Sequence, residues 1–295
     1  MSSKNIYANT VAEYQARSLF GSEKLRRIAD ADFSDAVRIL IGYGYFGDYD
    51  TSVEQDIDNF IVFQIRKLAE FIEENSASDA LSKILLNGFI YSDAKVLFKS
   101  RFTNGNISSA LYFDGVTHNS TYIQEVISEL GDKPSGKAID YVFTKAMFSD
   151  NLSLAIEIGK SLVLYCKRQI DITNILSAYR ANKLGYSYDE TMSELFYGGE
   201  IDLETVVSAD ELKNTKYEEA MLTLELGDIQ KFRGLTEKIL TDTLKNDFAD
   251  YMSYGPFIKY ILAQLEEFRA VRYILICIKN NIHFSVDDFR SIDDD

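Results

Sequence analysis

The stretch Tyr254–Ile282, YGPFIKYILAQLEEFRAVRYILICIKNNI, decides how the rest of the chain is read. Gly255 and Pro256 open it, and a proline at a first helical position gives up an N–H that has no intrahelical partner anyway. No further glycine or proline follows as far as Lys279. Apolar residues fall at Ile258, Ile261, Leu265, Phe268, Leu275 and Ile278, the three-and-four spacing of one helical face. Gln264, Glu266, Glu267, Arg269 and Arg272 are assigned to the opposite, solvated face. At roughly 1.5 Å per residue the helix spans on the order of 36 Å. This is a strut.

Two earlier stretches echo it. Lys160–Leu184, KSLVLYCKRQIDITNILSAYRANKL, is again long, apolar on one side and free of glycine and proline. Setting Asp171 on Glu267 places Asn174 on Ala270, Tyr179 on Leu275 and Lys183 on Lys279. A weaker copy is Gly88–Phe102, GFIYSDAKVLFKSRF, in which Asp93-Ala94-Lys95 meets Ala270-Val271-Arg272 and Ile90 stands where the leading acid would be. Separations of 81 and 96 residues exceed the common solenoid periods, so three related subdomains are expected, not a stacked array.

Composition sets the bounds on function. With 46% hydrophobic and 13% aromatic residues, the 295-residue chain can build a sizeable core. Two prolines and 16 glycines leave little material for a β-rich fold with many turns. A formal charge of −15 argues against nucleic acid, which is bound chiefly by neutralising phosphates, and against an anionic membrane surface. The longest apolar runs, such as Tyr273–Ile278, fall far short of the ~20 residues of a spanning helix. No leader pattern opens the sequence, so a soluble cytoplasmic protein is expected. Cys166 and Cys277 lie in apolar helical runs and read as buried small hydrophobes.

Taken in order, residues 4–20 read as an opening helix ending at Gly21, followed by SEKLRRIADA and FSDAVRILI. Gly42-Tyr43-Gly44-Tyr45-Phe46-Gly47 is a literal G-x-G-x-x-G. Its bulky aromatics stand where a pyrophosphate must approach the backbone, and Asp48, Asp50, Glu54 and Asp56 follow. It reads as an aromatic-glycine turn. Asp50–Glu74 is expected as one helix capped by Thr51 or Ser52, with Ile57, Phe60, Ile61, Gln64, Leu68 and Phe71 facing inward. After the NSAS break come Asp79–Asn87 and the first echo. Asn104-Gly105 and Asp114-Gly115 mark loops and a subdomain boundary. Short helices are expected at 121–130 and 136–148, before the second echo stops at Gly185. Beyond it lie short segments around Gly198-Gly199, helices at 209–213 and 217–226, and a long helix over 228–251. An acidic tail closes the sequence.

Catalytic chemistry finds little support. His118 and His283 lack a His or Cys neighbour at ligand spacing. Neither a G-x-S-x-G elbow nor a phosphate-cradling G-x-x-x-x-G-K-[ST] is present. Adjacent acids such as Glu73-Glu74, Glu218-Glu219 and Glu266-Glu267 point apart on a helix and read as solvated faces. No cofactor or metal is expected.

The polar decoration of the echoed helices is informative. Asp171, Asn174, Arg180 and Lys183 recur in type as Glu267, Arg272 and Lys279, and in part as Asp93, Lys95 and Arg101. Surface ion pairing would account for them, each pair contributing only a few tenths of a kcal/mol. Alternatively, these ten residues line a polar concavity that receives a partner.

The whole pattern resembles the C subunits of the V-type (A/V-type) rotary ATPases, the counterparts of the d subunits in the vacuolar enzymes. Ala16-Arg17 stands where that family carries an Ala-Arg pair in its opening helix, and SLFGSEKLRRIADADFSDAVRILIGYGY matches the segment after it. DITNILSAYRANK, EEFRAVRYILICIKNN and SDAKVLFKSRF then match its three acid-then-Asn/Lys helices, in falling order of likeness. The likeness runs from about Tyr7 to Asn281. It implies an all-α funnel of three similar subdomains, here 1–110, 111–200 and 201–295, packed as one body around a pseudo-threefold axis. It further implies a non-catalytic central-stalk component, one copy per complex. Such a component seats the D and F subunits of the shaft and rests on the membrane ring of proteolipid (K) subunits. The competing readings are a helical adaptor outside any rotary motor and a small-molecule enzyme on a helical scaffold.

Overall fold

A computed structural model describes residues 3–45, 56–102, 111–113, 125 and 127–284. Every regular element among them is helical. In chain order these are α1 Ser3–Ala16, α2 Ser22–Ala29, α3 Phe33–Gly42, α4 Ile57–Asn75, α5 Asp79–Ser100, α6 Gly136–Ile158, α7 Lys160–Lys183, α8 Tyr188–Ser193, α9 Leu203–Val207, α10 Ala209–Leu212, α11 Glu218–Glu225, α12 Ile229–Phe248 and α13 Gly255–Asn280. The expected all-α class is the one found. The chain forms two compact units, the first built on α1–α4 and α13, the second on α5–α12 through Asn246.

In the first unit α13 is the member on which α1, α2, α3 and α4 all pack. It begins at Gly255 with Pro256 in its first turn, as the sequence predicts. Glycine is required there because a Cβ would run into the backbone carbonyl of Asp247. Phe257, Ile261, Val271, Ile274 and Leu275 are essentially inaccessible, and burying each such side chain contributes roughly 1.5–3 kcal/mol. Around Phe20 an aromatic group assembles from Tyr43, Tyr45, Phe60 and Phe268, with neighbouring ring centroids 5.1–5.9 Å apart. The described part of the glycine-rich motif is thus an aromatic turn, closed by Gly44 N–H to Ile41 O and Tyr45 N–H to Leu40 O. Phe46, Gly47 and the acids through Glu54 lie outside the described residues, as do Asn104-Gly105, Asp114-Gly115, His118 and the acidic tail.

In the second unit α5 pairs with α6, α6 with α7, and α7 receives α8 and α9. One core cluster of this unit gathers Ile175, Leu195, Val206, Leu212, Tyr217, Leu224 and Phe232. α7 stops where expected, Gly185 N–H closing on Asn182 O and Tyr186 N–H on Ala181 O.

Several boundaries differ from the sequence reading, each for a local reason. α1 ends at Ala16, not at Gly21, because Arg17–Leu19 tighten into turns with i→i−3 bonds. α4 starts at Ile57 with Asp56 as its cap, the side chain accepting from Asp58 N and Asn59 N, in place of Thr51 or Ser52. Asp79–Asn87 and the first echo form one helix, since Gly88 faces outward and costs about 1 kcal/mol relative to alanine without ending it. α6 begins with the Ser135 cap and runs ten residues past Phe148, to Ile158, with Asn151 buried against α5. α12 ends at Phe248, ahead of Tyr251.

Candidate functional site

The two best-matched echoes each bury the acid on which they were superposed. On α7, Asp171 is wholly inaccessible. Its carboxylate accepts from Glu200 N at 3.1 Å, Ile201 N at 3.2 Å and the Tyr217 hydroxyl at 3.2 Å. The approach of this loop is so close that a Cβ on Gly199 would collide with Asp171 Oδ1. Burial pushes the carboxyl up to about 6, against the pull of the backbone and phenol donors. Burial, with the neighbouring carboxylate, raises the Tyr217 phenol as well.

On α13, Glu267 is 7% exposed and accepts from Phe20 N and, at 2.9 Å, from Gln264 Nε2. The Tyr45 phenol lies beside it, raised by burial first and by Glu267 second. Burial also raises Glu267 itself. This corrects the sequence reading, which assigned Glu267 to the solvated face. Its main partner is the Phe20 backbone, far away in sequence, although Val271 and Ile274, four and seven residues on, put Glu267 on the buried side of α13. Asp171 and Glu267 share one arrangement: a buried acid on a long helix, holding a loop by backbone N–H, two for Asp171 and one for Glu267, with a tyrosine beside it. It is a latch.

Asparagines do similar work. Asn174 Nδ2 donates to Phe196 O and Phe196 N donates back to Asn174 Oδ1, both at 2.8 Å. In the first unit Asn9 donates to Tyr251 O at 2.9 Å and Ser253 O at 3.0 Å and accepts from Phe257 N at 3.1 Å. A polar ladder joins α5 to α6 through Asn87–Asn151, Tyr91–Asp150, Lys95–Thr144 and Lys99–Asp140, at 2.7 to 3.1 Å. Lys95 is half-buried there, and burial lowers its ammonium.

The ten candidate residues therefore divide. Asp93, Asp171, Asn174 and Glu267 are buried, and Lys95 is half-buried against α6. Arg101, Arg180, Lys183, Arg272 and Lys279 are exposed. Arg272 pairs with Asp58 at 2.8 Å, Lys183 lies over the Tyr179 ring, and Lys279 lies over Phe33. Lys279 also edges an open hollow of about 580 Å³ at the end of α13, with Asp32, Phe33, Ile282 and Phe284. Glu200 and Arg168 were not singled out in the sequence, yet they brace the Asp171 latch. Glu200 is bridged by Arg168 at 3.0 Å and by Lys216, and Arg168 reaches Thr243 Oγ1 at 2.6 Å. The Gly198-Gly199 pair just before Glu200 was the available signal. Both cysteines are buried, as expected, and burial pushes the Cys166 thiol up to about 12.

The family model described as ATP synthase (C/AC39) subunit matches residues 113–285, a span that includes both latched helices. The chain belongs to that family. The C subunit of the A-type ATP synthase of Desulfurococcus sp. (strain SY) is similar to it, 28% identical over 130 residues, which is 40% of this chain and 35% of that relative. The matched region thus spans about a third of the relative's length. That family is described as one of ATP synthase subunits. No helix among the described residues is long and apolar enough to cross a membrane. In this member the deepest polar groups of α7 and α13 hold loops in place, and the exposed bases are what those helices offer outward.

Proposed function

We propose that this chain is a non-catalytic central-stalk component of a V-type rotary ATPase. It acts as a socket and spacer between the rotating shaft, made of the D and F subunits, and the membrane proteolipid ring of K subunits. One copy serves each complex, peripheral to the membrane on its cytoplasmic side. ATP hydrolysis or synthesis and ion movement belong to other subunits. The observation that supports this reading best is the pair of latches on α7 and α13, in a chain of the ATP synthase (C/AC39) family. A part that transmits torque must resist local unwinding. Buried acids that tie long helices to neighbouring loops provide that resistance in a way surface ion pairs do not. The recurrence of the latch on two echoed helices supports descent from a repeated subdomain, and with it the proposed arrangement of three subdomains around a pseudo-threefold axis.

Native mass spectrometry of the chain mixed with purified D and F subunits and with the proteolipid ring tests the proposal. A complex containing one copy and bridging shaft to ring is the expected result, together with no ATPase activity from the isolated chain. Binding to neither would return the protein to the class of helical adaptors.

A further inference from the structure

Exposed apolar side chains collect at the turn between α11 and α12. Leu222 and Leu226, one helical turn apart, are 45% and 85% exposed, and Ile229 opens α12 at 43%. The turn itself is tightly closed, with Gly227 N–H on Leu224 O and Asp228 N–H on Thr223 O, both at 2.9 Å. In such closures an apolar residue after the glycine commonly covers the helix end. Here that residue is Asp228, which instead caps α12 by accepting from Lys231 N at 2.9 Å. The inner faces of the same two helices, Ala220, Met221, Leu224 and Phe232, are locked in the core of the second unit. The tip is therefore rigid, and its apolar side chains project from a fixed base.

Charge identifies the kind of surface that fits it. Glu218, Glu219 and Glu225 are exposed on α11 around Leu222, and none of them is in an ion pair among the described residues. Asp228 adds a fourth carboxylate at the turn, against two exposed cations in the first turns of α12, Lys231 and Arg233. Protruding leucines would also suit a bilayer, but membrane-surface elements carry Lys and Arg beside their apolar face because the headgroups are anionic. An acidic collar opposes that. We infer that the α11–α12 tip is a docking point for a soluble protein partner whose receiving surface is an apolar recess rimmed by Lys and Arg. Apolar contact at the centre supplies the affinity, and the opposed charges at the rim supply orientation and association rate.

The choice of test partner rests on the rotor reading, under which the shaft is the soluble neighbour. Biolayer interferometry of the full chain against the purified D–F pair is compared for wild type, Leu222→Ser/Leu226→Ser, Glu218→Gln/Glu219→Gln/Glu225→Gln and Leu184→Ser. Leu184 serves as an equally bare leucine elsewhere on the second unit, at 71% exposed. All substituted side chains are exposed, and thermal midpoints check that each variant folds. The double serine variant is expected to bind about tenfold more weakly or worse, through faster dissociation, with Leu184→Ser unchanged. The triple glutamine variant is expected to associate more slowly and to lose most of the salt dependence. Equal binding by wild type and the double serine variant overturns the docking point and leaves the rotor reading standing. Failure of wild type to bind the shaft overturns both. Co-flotation with phosphatidylglycerol vesicles that Leu222→Ser/Leu226→Ser abolishes would overturn the protein partner in favour of a lipid surface.

Discussion

Asp171 and Tyr217 meet in the interior of the second unit, the phenol hydroxyl donating to Oδ2 at 3.2 Å while Glu200 and Ile201 N–H groups approach the same carboxylate. Burial outweighs these donors and lifts the carboxyl from 3.8 to about 6. The folded state therefore binds this proton more tightly than the unfolded chain does. The sign follows: the group's contribution is most favourable below about pH 4, falls as pH rises from 4 to 6, and stays at its lower level above that. At about 1.4 kcal/mol per pH unit the difference is roughly 2–3 kcal/mol. Denaturant titrations of wild type and Asp171→Asn at pH 4, 5, 6 and 7 are expected to differ by a gap that changes by about that amount over this interval. A gap constant with pH would show that Asp171 titrates normally. Glu267 is raised in the same direction by burial, so Glu267→Gln is expected to show a change of the same sign.

The Gly199 backbone lies against that carboxylate, which makes a second prediction quantitative. Gly199→Ala puts a methyl where Asp171 Oδ1 stands, and three hydrogen bonds prevent the carboxylate from swinging aside. A loss of about 2–3 kcal/mol in chemical denaturation is expected. In an Asp171→Ala background the obstacle is gone, and the same substitution should cost under about 1 kcal/mol, the departure from additivity measuring the contact. Gly255→Ala is the contrasting case. Its obstacle is the Asp247 backbone carbonyl, so side-chain truncation nearby is expected to give no relief.

How much of this could be read from the residues depends on how far the physical cause lies along the chain. The bounds of α13 and the end of α7 are legible because Gly255-Pro256 and Gly185 act locally. Continuity through Gly88 is not, because an outward-facing glycine and a helix-ending one look alike in sequence. Superposing Asp171 on Glu267 recovers two positions with the same job, yet assigning Glu267 to solvent fails. A charge is read as exposed unless its partner is known, even where Val271 and Ile274 mark its face as buried, and here that partner is the Phe20 backbone in another segment. Asn9 and Asn87 escape notice for the same reason, as asparagine is usually read as a loop or cap residue. Arg272 is placed correctly on the outer face of α13, where it is exposed and pairs with Asp58.

Asn9, with Asn5 donating to Met252 O beside it at 2.9 Å, ties α1 to the segment leading into α13. Replacing it by alanine leaves Phe257 N–H without its acceptor and frees two carbonyls, Tyr251 O and Ser253 O. Phe257 is 1% exposed, so its amide finds no water in compensation. A destabilisation of about 2–3 kcal/mol is expected for Asn9→Ala. Hydrogen exchange locates it: amides of residues 252–258 should lose protection by a larger factor than those in the middle of α13. Uniform loss along the whole helix would mean that Asn9 contributes only to global packing.

The division of the ten candidate residues into buried and exposed sets makes the last prediction. Asp171, Asn174 and Glu267 present almost no surface, so substituting them acts on stability. Arg180 and Lys183 on α7 and Arg272 and Lys279 on α13 are exposed, and the Arg272–Asp58 pair is a surface ion pair of small energetic value. Charge reversal at Arg180 and Lys183, or at Arg272 and Lys279, is therefore expected to shift unfolding free energy by less than about 1 kcal/mol. If these bases contact a partner, the same reversals should weaken binding to the D–F shaft or to the ring about tenfold or more and alter its salt dependence. Asp171→Asn, measured where it is fully folded, should bind with unchanged affinity. Isothermal titration against each partner, paired with denaturation of the same samples, separates the two effects. Reversals that leave both affinities untouched would restrict these bases to surface ion pairing and ring contacts, and the docking surfaces would have to lie elsewhere on the chain.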